Sequence, residues 1–186
     1  MEDTESYLEE FLKDKRFEGT HIKRGETSGD SFPKLSIKVR DELVASGLGE
    51  VKKFADYVYP EELHEWISSG KRFFIVDMRN DYEHKVGYFK DSILAPFQNF
   101  RDLPKVIPIL EPLKDETIVT VCTGGVRCEK ASGFLLSEGF NKVYQLFGGI
   151  VTYMEKYPNE DFLGKLYVFD GRIVMGFNTD DPKHVE

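Results

Sequence analysis

The chain contains 2 cysteines, Cys122 and Cys128, and the first stands where a nucleophile belongs. It opens the run Cys122-Thr-Gly-Gly-Val-Arg127. Residues 117–121, Thr-Ile-Val-Thr-Val, are all β-branched, which predicts a strand running straight into Cys122. Residues 128–138 carry Ala131, Phe134, Leu135 and Leu136 as an apolar side, with Gly139 as a stop, which predicts a helix. A strand that turns tightly into a helix leaves the loop and first-turn amides without backbone partners. Curled around one point, such amides form an anion nest. Gly124 and Gly125 are expected to supply the positive φ angles of the curl, with Thr123 and Val126 completing the loop. Arg127 is expected to add a fixed positive charge with a planar donor fork. A sulfur at the centre of this cradle is stabilised as thiolate and is nucleophilic near neutral pH. The cradle equally suits a persulfide or another anionic group on that sulfur. The plain alternative is a buried structural cysteine. The paired glycines and the arginine at a strand-to-helix junction argue against it.

Other polar residues carry weaker signals. Cys128 is either a resolving thiol for an oxidised or persulfurated Cys122, or a small buried residue facing the sheet. Asp77 and Arg79 are expected to brace loops, and Glu83 to anchor a neighbouring loop by hydrogen bonds. Arg79 and Arg101 are candidates to line the pocket, with solvated surface as the alternative. His21, His64, His84 and His184 show no ligand spacing, and of these His84 alone is a candidate for a place near the site. No Cys/His pattern for zinc occurs, so no metal is expected.

The elements that position the loop follow from periodicity. Residues 4–16 read as a helix capped by Thr4, with Tyr7, Leu8, Phe11 and Leu12 as its stripe. Residues 35–39 alternate as a half-buried strand does. One helix and one strand close no core, so residues 1–50 are expected to be a partial α+β segment. From residue 54 strands and helices alternate. Pro60 with Glu61 and Glu62 starts a helix that Gly70 ends. Residues 73–78 and 92–95 are strands, as are 117–121 and 143–146, and Gly148-Gly149 opens a last helix through Met154. This order predicts an α/β domain over residues 51–157, a parallel sheet covered by helices on both faces. Such sheets carry their sites at the carboxyl ends of strands, where Cys122 falls. In residues 158–186, two apolar runs flank Asp170-Gly171, a strong signal for a two-residue β-hairpin.

Composition limits the function classes. The chain has 186 residues, 40% of them hydrophobic, and a net charge of −8. A globular core is affordable, and non-specific nucleic-acid binding by the whole surface is disfavoured. The acidic, polar start of the sequence is not that of a signal or transit peptide. No apolar run approaches the ~20 residues that span a membrane. A reducing cytoplasm is the expected location, and no membrane partner is expected. Nothing in the sequence specifies an oligomeric state.

The loop Cys122-x-x-Gly125-x-Arg127 resembles the active-site loop of the rhodanese-homology superfamily. Ile75-Val-Asp-Met-Arg79 resembles that family's first central strand, and Asp81-Tyr-Glu83, Gly87 and Ala95-Pro96 its following segment. Residues 139–150 resemble its closing strand and helix. A narrower resemblance rests on Cys122-Thr-Gly-Gly-Val-Arg-Cys-Glu-Lys130, Arg79-Asn-Asp-Tyr-Glu83, Gly87-Tyr-Phe-Lys90, Phe100-Arg101, Tyr144-Gln-Leu146 and Tyr167-Val-Phe-Asp170. These are similar to segments of the bacterial tRNA uridine(34) hydroxylases. Residues 34–47 resemble the end of that family's N-terminal ferredoxin-like domain. The first half of that domain and the Cys-rich C-terminal segment of many members have no counterpart here. The resemblance implies 5-hydroxylation of a wobble uridine in tRNA. It implies molecular oxygen as co-substrate and no cofactor, with tRNA binding weakened or lost in this shortened form. The wider superfamily implies the alternative, sulfur transfer through a persulfide on Cys122. A phosphatase fits less well: four residues separate Cys122 from Arg127, where Cys-based phosphatases have five. A non-catalytic binding module would not need both the cysteine and the arginine.

Overall fold

The computed structural model describes residues 2–20, 22, 38–169 and 173–176. The chain divides into two compact units, residues 1–33 and 34–186. In the first, helix α1 spans Glu2–Leu12 and a 3-10 turn spans Lys15–Phe17. Thr4 therefore lies inside the first turn and does not cap the helix, as its sequence position had implied. Asp14 caps the 3-10 turn instead, accepting the Arg16 amide at 3.0 Å.

The second unit contains, in chain order, β1 (Asp56–Val58), α2 (Pro60–Ser68), β2 (Phe74–Asp77), α3 (Asp81–His84), β3 (Gly87–Phe89), β4 (Ile93–Leu94), α4 (Ile107–Leu110), β5 (Ile118–Val121), α5 (Val126–Ser137), β6 (Val143–Leu146), α6 (Gly149–Lys156), β7 (Phe162–Gly164), β8 (Leu166–Tyr167) and β9 (Val174–Met175). Five strands form one parallel sheet in the order β1-β6-β5-β2-β4. Parallel neighbours need crossovers, and the crossovers here run over both faces. Ile75, Val119, Val121 and Leu146 point to one core with Leu63, Ile150 and Tyr153. Val76, Ile118 and Val143 point to the other, with Ala131, Leu135, Phe97 and Leu103. Successive strand residues thus enter opposite cores, which is why these strands are apolar throughout. The helix-covered parallel sheet expected from the sequence is the one observed.

The fold departs from expectation at three places. Residues 36 and 37 of the expected strand 35–39, like residue 35, lie outside the described residues, and Lys38 and Val39 have no strand pairing. Residues 41–54 instead lie against α5: Lys130 pairs with Glu42 at 3.0 Å and bonds the Gly49 carbonyl. Second, β3 pairs antiparallel with β7, a contact that periodicity over three residues does not reveal. Gly87 and Gly164 permit it, because a Cβ on Gly87 would lie 2.5 Å from the Leu163 carbonyl oxygen. Third, a 3-10 helix over Phe100–Val106 leads into α4, where no element was expected.

The expected hairpin is present. Leu166 pairs with Met175 and Tyr167 with Val174, antiparallel. This register is the one that a turn at Asp170-Gly171 imposes, although residues 170–172 themselves lie outside the described residues. No helix among the described residues is long and apolar enough to cross a membrane.

Candidate active site

Because β1, β6, β5 and β2 run parallel, their carboxyl ends share one edge of the sheet. Cys122 follows β5 directly and is 1% exposed. The loop then turns through Gly125, whose φ of 95° lies in the left-handed region that favours glycine, and α5 begins at Val126. Gly124 has no positive φ among the described backbone, contrary to expectation. One left-handed residue suffices to reverse the amides around the sulfur. The Gly125 amide donates to Cys122 Sγ at 3.2 Å.

The loop is pinned from behind by α6. Ile150 N donates to the Cys122 carbonyl at 2.9 Å, and Val151 N to the Thr123 carbonyl at 3.0 Å. Gly149, at φ 72°, makes this approach feasible: a Cβ there would lie 2.6 Å from Gly125 N and Thr123 O and 2.7 Å from Cys122 O. All three are backbone atoms that cannot swing aside. Gly149→Ala is therefore expected to destabilise the protein by about 2–4 kcal/mol, combining left-handed strain with a forced loop shift. Denaturant midpoints of the two proteins would check it, and a loss under about 0.5 kcal/mol would contradict the packing.

The environment of the two thiols is asymmetric. Burial acts to raise the Cys122 pKa. It is outweighed by the Cys128 thiol donating to Cys122, by the Arg127 charge, and by the amides of Cys128 and Gly125, which bring Cys122 down to about 6. Burial and the neighbouring thiolate push Cys128 up. Cys128 is thus fully buried, with Thr120 and Cys122 beside its sulfur. Thiolate absorbance at 240 nm is expected to titrate with a midpoint near 6, and Cys122→Ser is expected to remove that transition. A midpoint at or above the ordinary ~8.5 would contradict the nest.

Arg127 does not stand free. Its Nη1 donates to Glu83 Oε2 at 2.6 Å and its Nη2 to Glu83 Oε1 at 2.8 Å. Nη2 also reaches Thr123 Oγ1 at 3.1 Å, and that hydroxyl donates to Glu83 Oε1 at 3.2 Å. Glu83 is fully buried, and its second oxygen also accepts the Asn80 amide at 3.0 Å. The planar fork expected of Arg127 is engaged within the protein, by Glu83 and Thr123. The guanidinium fixes the loop through a buried carboxylate and acts on the sulfur as a charge. Glu83 was legible as a loop anchor, but its partner, 44 residues away, was not.

The remaining arginines are placed differently. Arg79 is 0% exposed and donates from Nε and Nη2 to Asp77, at 2.7 Å for the closest contact, and to the Gly87 carbonyl at 2.6 Å. It braces the β2–α3 loop and does not line an open pocket. Burial acts to raise the Asp77 pKa, but His84 and Arg79 hold it below the usual carboxylate range. His84 is buried with Nε2 3.5 Å from Asp77 Oδ1, so it belongs to this brace one strand away from Cys122. Arg101 is exposed on the 3-10 helix, and no side-chain contact ties it to the cysteine loop among the described residues.

His64, without ligand spacing in the sequence, acquires neighbours in space. Its Nδ1 lies 3.2 Å from Asp161 and 3.5 Å from Glu160, the trio of donor atoms falling within 4.8 Å of one another. The Tyr153 hydroxyl already donates to Asp161, so the cluster is a hydrogen-bonded tie between α2, α6 and the start of β7.

A buried thiolate in an amide nest, backed by a neutral thiol and a charge-fixed loop, can add to an electrophilic carbon or carry a sulfane sulfur. The chain matches the model of the rhodanese-like domain over residues 59–156. It is 41% identical over 179 residues to the tRNA uridine(34) hydroxylase of Cytophaga hutchinsonii, covering 95% of this chain and 57% of that protein. It is 42% identical over 187 residues to the protein of the same name from Onion yellows phytoplasma, covering 97% of this chain and 60% of that one. For that of Enterococcus faecalis the figures are 40% over 190 residues, 98% and 60%. The chain thus spans somewhat under two thirds of the length of these relatives. With the nested cysteine loop, the helix-covered parallel sheet and the match over residues 59–156, the chain belongs to the rhodanese-like domain family.

Proposed function

We propose that this chain carries the reaction centre of a tRNA uridine hydroxylase, with Cys122 as nucleophile and molecular oxygen as co-substrate. The observation that carries the reading is a low-pKa thiolate in an amide nest, within a chain about 40% identical over nearly its whole length to proteins of that name. Cys122 Sγ adds to C6 of the uracil ring, and the C5–C6 electron pair moves into an enolate on the C4 carbonyl. C5 then bonds to dioxygen, and the outer oxygen of the resulting peroxide anion takes a proton from water, giving a hydroperoxide. Two electrons and two protons from an external thiol reductant cleave the O–O bond and release water. Loss of the C5 proton expels Cys122 and restores the ring with a hydroxyl at C5. The loop amides stabilise the enolate, and Cys128 returns a proton to the departing thiolate. No metal or bound organic cofactor enters this route. A cytoplasmic setting, reducing enough to keep both thiols free, suits it.

The test is mass spectrometry of tRNA nucleosides from cells lacking the gene, complemented with wild type or Cys122→Ser. Wild type is expected to restore 5-hydroxyuridine and the variant is not. The family membership favours one second reading, sulfur transfer. It requires a stable persulfide, seen as a mass gain of one sulfur on Cys122 after thiosulfate. Fast cyanide-dependent turnover together with 5-hydroxyuridine levels indifferent to Cys122→Ser would establish it in place of the first.

A further inference from the structure

Thiolate chemistry needs no aromatic side chains, yet three gather on one flank of the Cys122 loop. Phe169 is 62% exposed, with its ring centroid 5.7 Å from the Arg127 guanidinium carbon. Tyr167 packs edge-on against Phe169 at 5.3 Å, and Tyr82 edge-on against Tyr167 at 5.2 Å. Tyr82 directly precedes Glu83, the residue that holds Arg127. The same salt-bridged unit that pins the cysteine loop therefore also sets the aromatic cluster beside it. Along this extended segment Val168 turns into the core at 8% exposure while Phe169 faces water. Folding gains little from a phenylalanine left so open. Its position is nonetheless fixed by Tyr167 against it, by Tyr82 behind Tyr167, and by a guanidinium whose two terminal nitrogens are engaged by Glu83 and Thr123.

We infer that Phe169, steadied by Tyr167 and Tyr82, is a stacking shelf for an unpaired nucleobase of an RNA chain, adjacent to the base that Cys122 attacks. The inference rests on the proposed RNA substrate. A nucleophile that must reach C6 over a face of the ring requires its target base out of the helical stack that covers that face, and the neighbouring base then loses a stacking partner. An aromatic face replaces that partner whatever the base. The charge balance points the same way. A chain of net charge −8 gains little affinity from phosphate neutralisation over its whole surface, so stacking at the site must contribute a larger share.

The probe is an anticodon stem-loop RNA carrying 2-aminopurine beside the wobble uridine, titrated with this chain and with Phe169→Ala, Phe169→Leu and Phe169→Trp. Wild type and Phe169→Trp are expected to quench the probe. Phe169→Ala and Phe169→Leu are expected to lose the quenching and to raise Kd by about tenfold, within the range that one stacked base supplies. Equal binding by Phe169→Leu overturns the shelf, since an apolar contact would then suffice. No binding by wild type overturns it as well. So does a shift of the Cys122 titration midpoint in Phe169→Ala, because the ring would then act only through Arg127. The two readings fail separately. Quenching by a wild type that forms no 5-hydroxyuridine leaves the shelf and removes the hydroxylase. Hydroxylation with a KM unchanged by Phe169→Ala does the reverse.

Discussion

Replacing Glu83 by alanine is expected to lower stability by about 3–5 kcal/mol and to release the Cys122 loop. The carboxylate is fully buried and receives both arms of the Arg127 fork, the Thr123 hydroxyl and the Asn80 amide. Its removal strands a guanidinium whose side chain is only 13% exposed. An unpaired charge at that depth costs more than the pair contributes, so the loop is expected to open and hydrate Arg127. Arg127→Ala strands Glu83 in the same way. The double variant is then expected to be less damaged than the sum of the two singles by at least 1–2 kcal/mol, roughly, since it leaves no orphaned charge. Urea denaturation of the four proteins measures the coupling. Strict additivity would show that the two side chains do not act as one unit. Glu83→Gln, which keeps the shape and can still accept, is expected to fall between wild type and Glu83→Ala.

The second large effect concerns the other buried pair and separates stability from reactivity. Arg79→Ala leaves Asp77 without its main partner in a site where both side chains are 0% exposed. A loss of about 3–5 kcal/mol is expected. The thiolate midpoint of Cys122 is nevertheless expected to stay near 6 under conditions where the variant is folded, because the Arg79 charge is absorbed by Asp77 and the Gly87 carbonyl. Arg127→Ala should move that midpoint upward. If Arg79→Ala moves it as far, the two arginines share one site and the division drawn above is wrong. The sign of the pH dependence follows from Asp77. Its carboxyl is held below the usual range, so the pair's contribution is complete above the unfolded carboxylate value near ~4. It is lost as acid carries the pH down through the lower folded value. The stability difference between wild type and Arg79→Ala should therefore shrink in acid.

The parts of the site that were legible in the sequence are the parts that fold locally. Cys122 lies between a strand and a helix that are contiguous with it, so strand run, glycine and arginine fixed the nest without knowledge of the tertiary fold. The Asp170-Gly171 pair likewise signalled a hairpin, and the observed pairing of Leu166 with Met175 is the register that signal implies. The partner of Arg127 was not legible, because nothing near residue 127 in the sequence supplies it. That partner comes from α3, which lies near α5 only because β2 and β5 are neighbours in the sheet. Arg79 was legible as a loop brace with Asp77, but its burial was not, and it does not take the alternative place lining a pocket. A charged residue is exposed by default, and its full burial follows from Asp77 two positions earlier and from the Gly87 carbonyl that β3 brings over it. Gly149 read as a helix start, and so it is. Its closer constraint is the approach of the cysteine loop, which no pattern around residue 149 encodes.

The central claim, that the Cys122 thiolate adds to the uracil ring, has a direct readout without oxygen. Addition at C6 makes C5 exchangeable with solvent, so under the proposed route tritium at C5 of the wobble uridine should wash into water on incubation with this chain under anaerobic conditions. Wild type is expected to release it, with a rate that rises through pH 6 as the thiolate forms, and Cys122→Ser is expected to release none. Tritium release by Cys122→Ser at the wild-type rate, or 5-hydroxyuridine formed by wild type in air with no anaerobic exchange, would contradict the account.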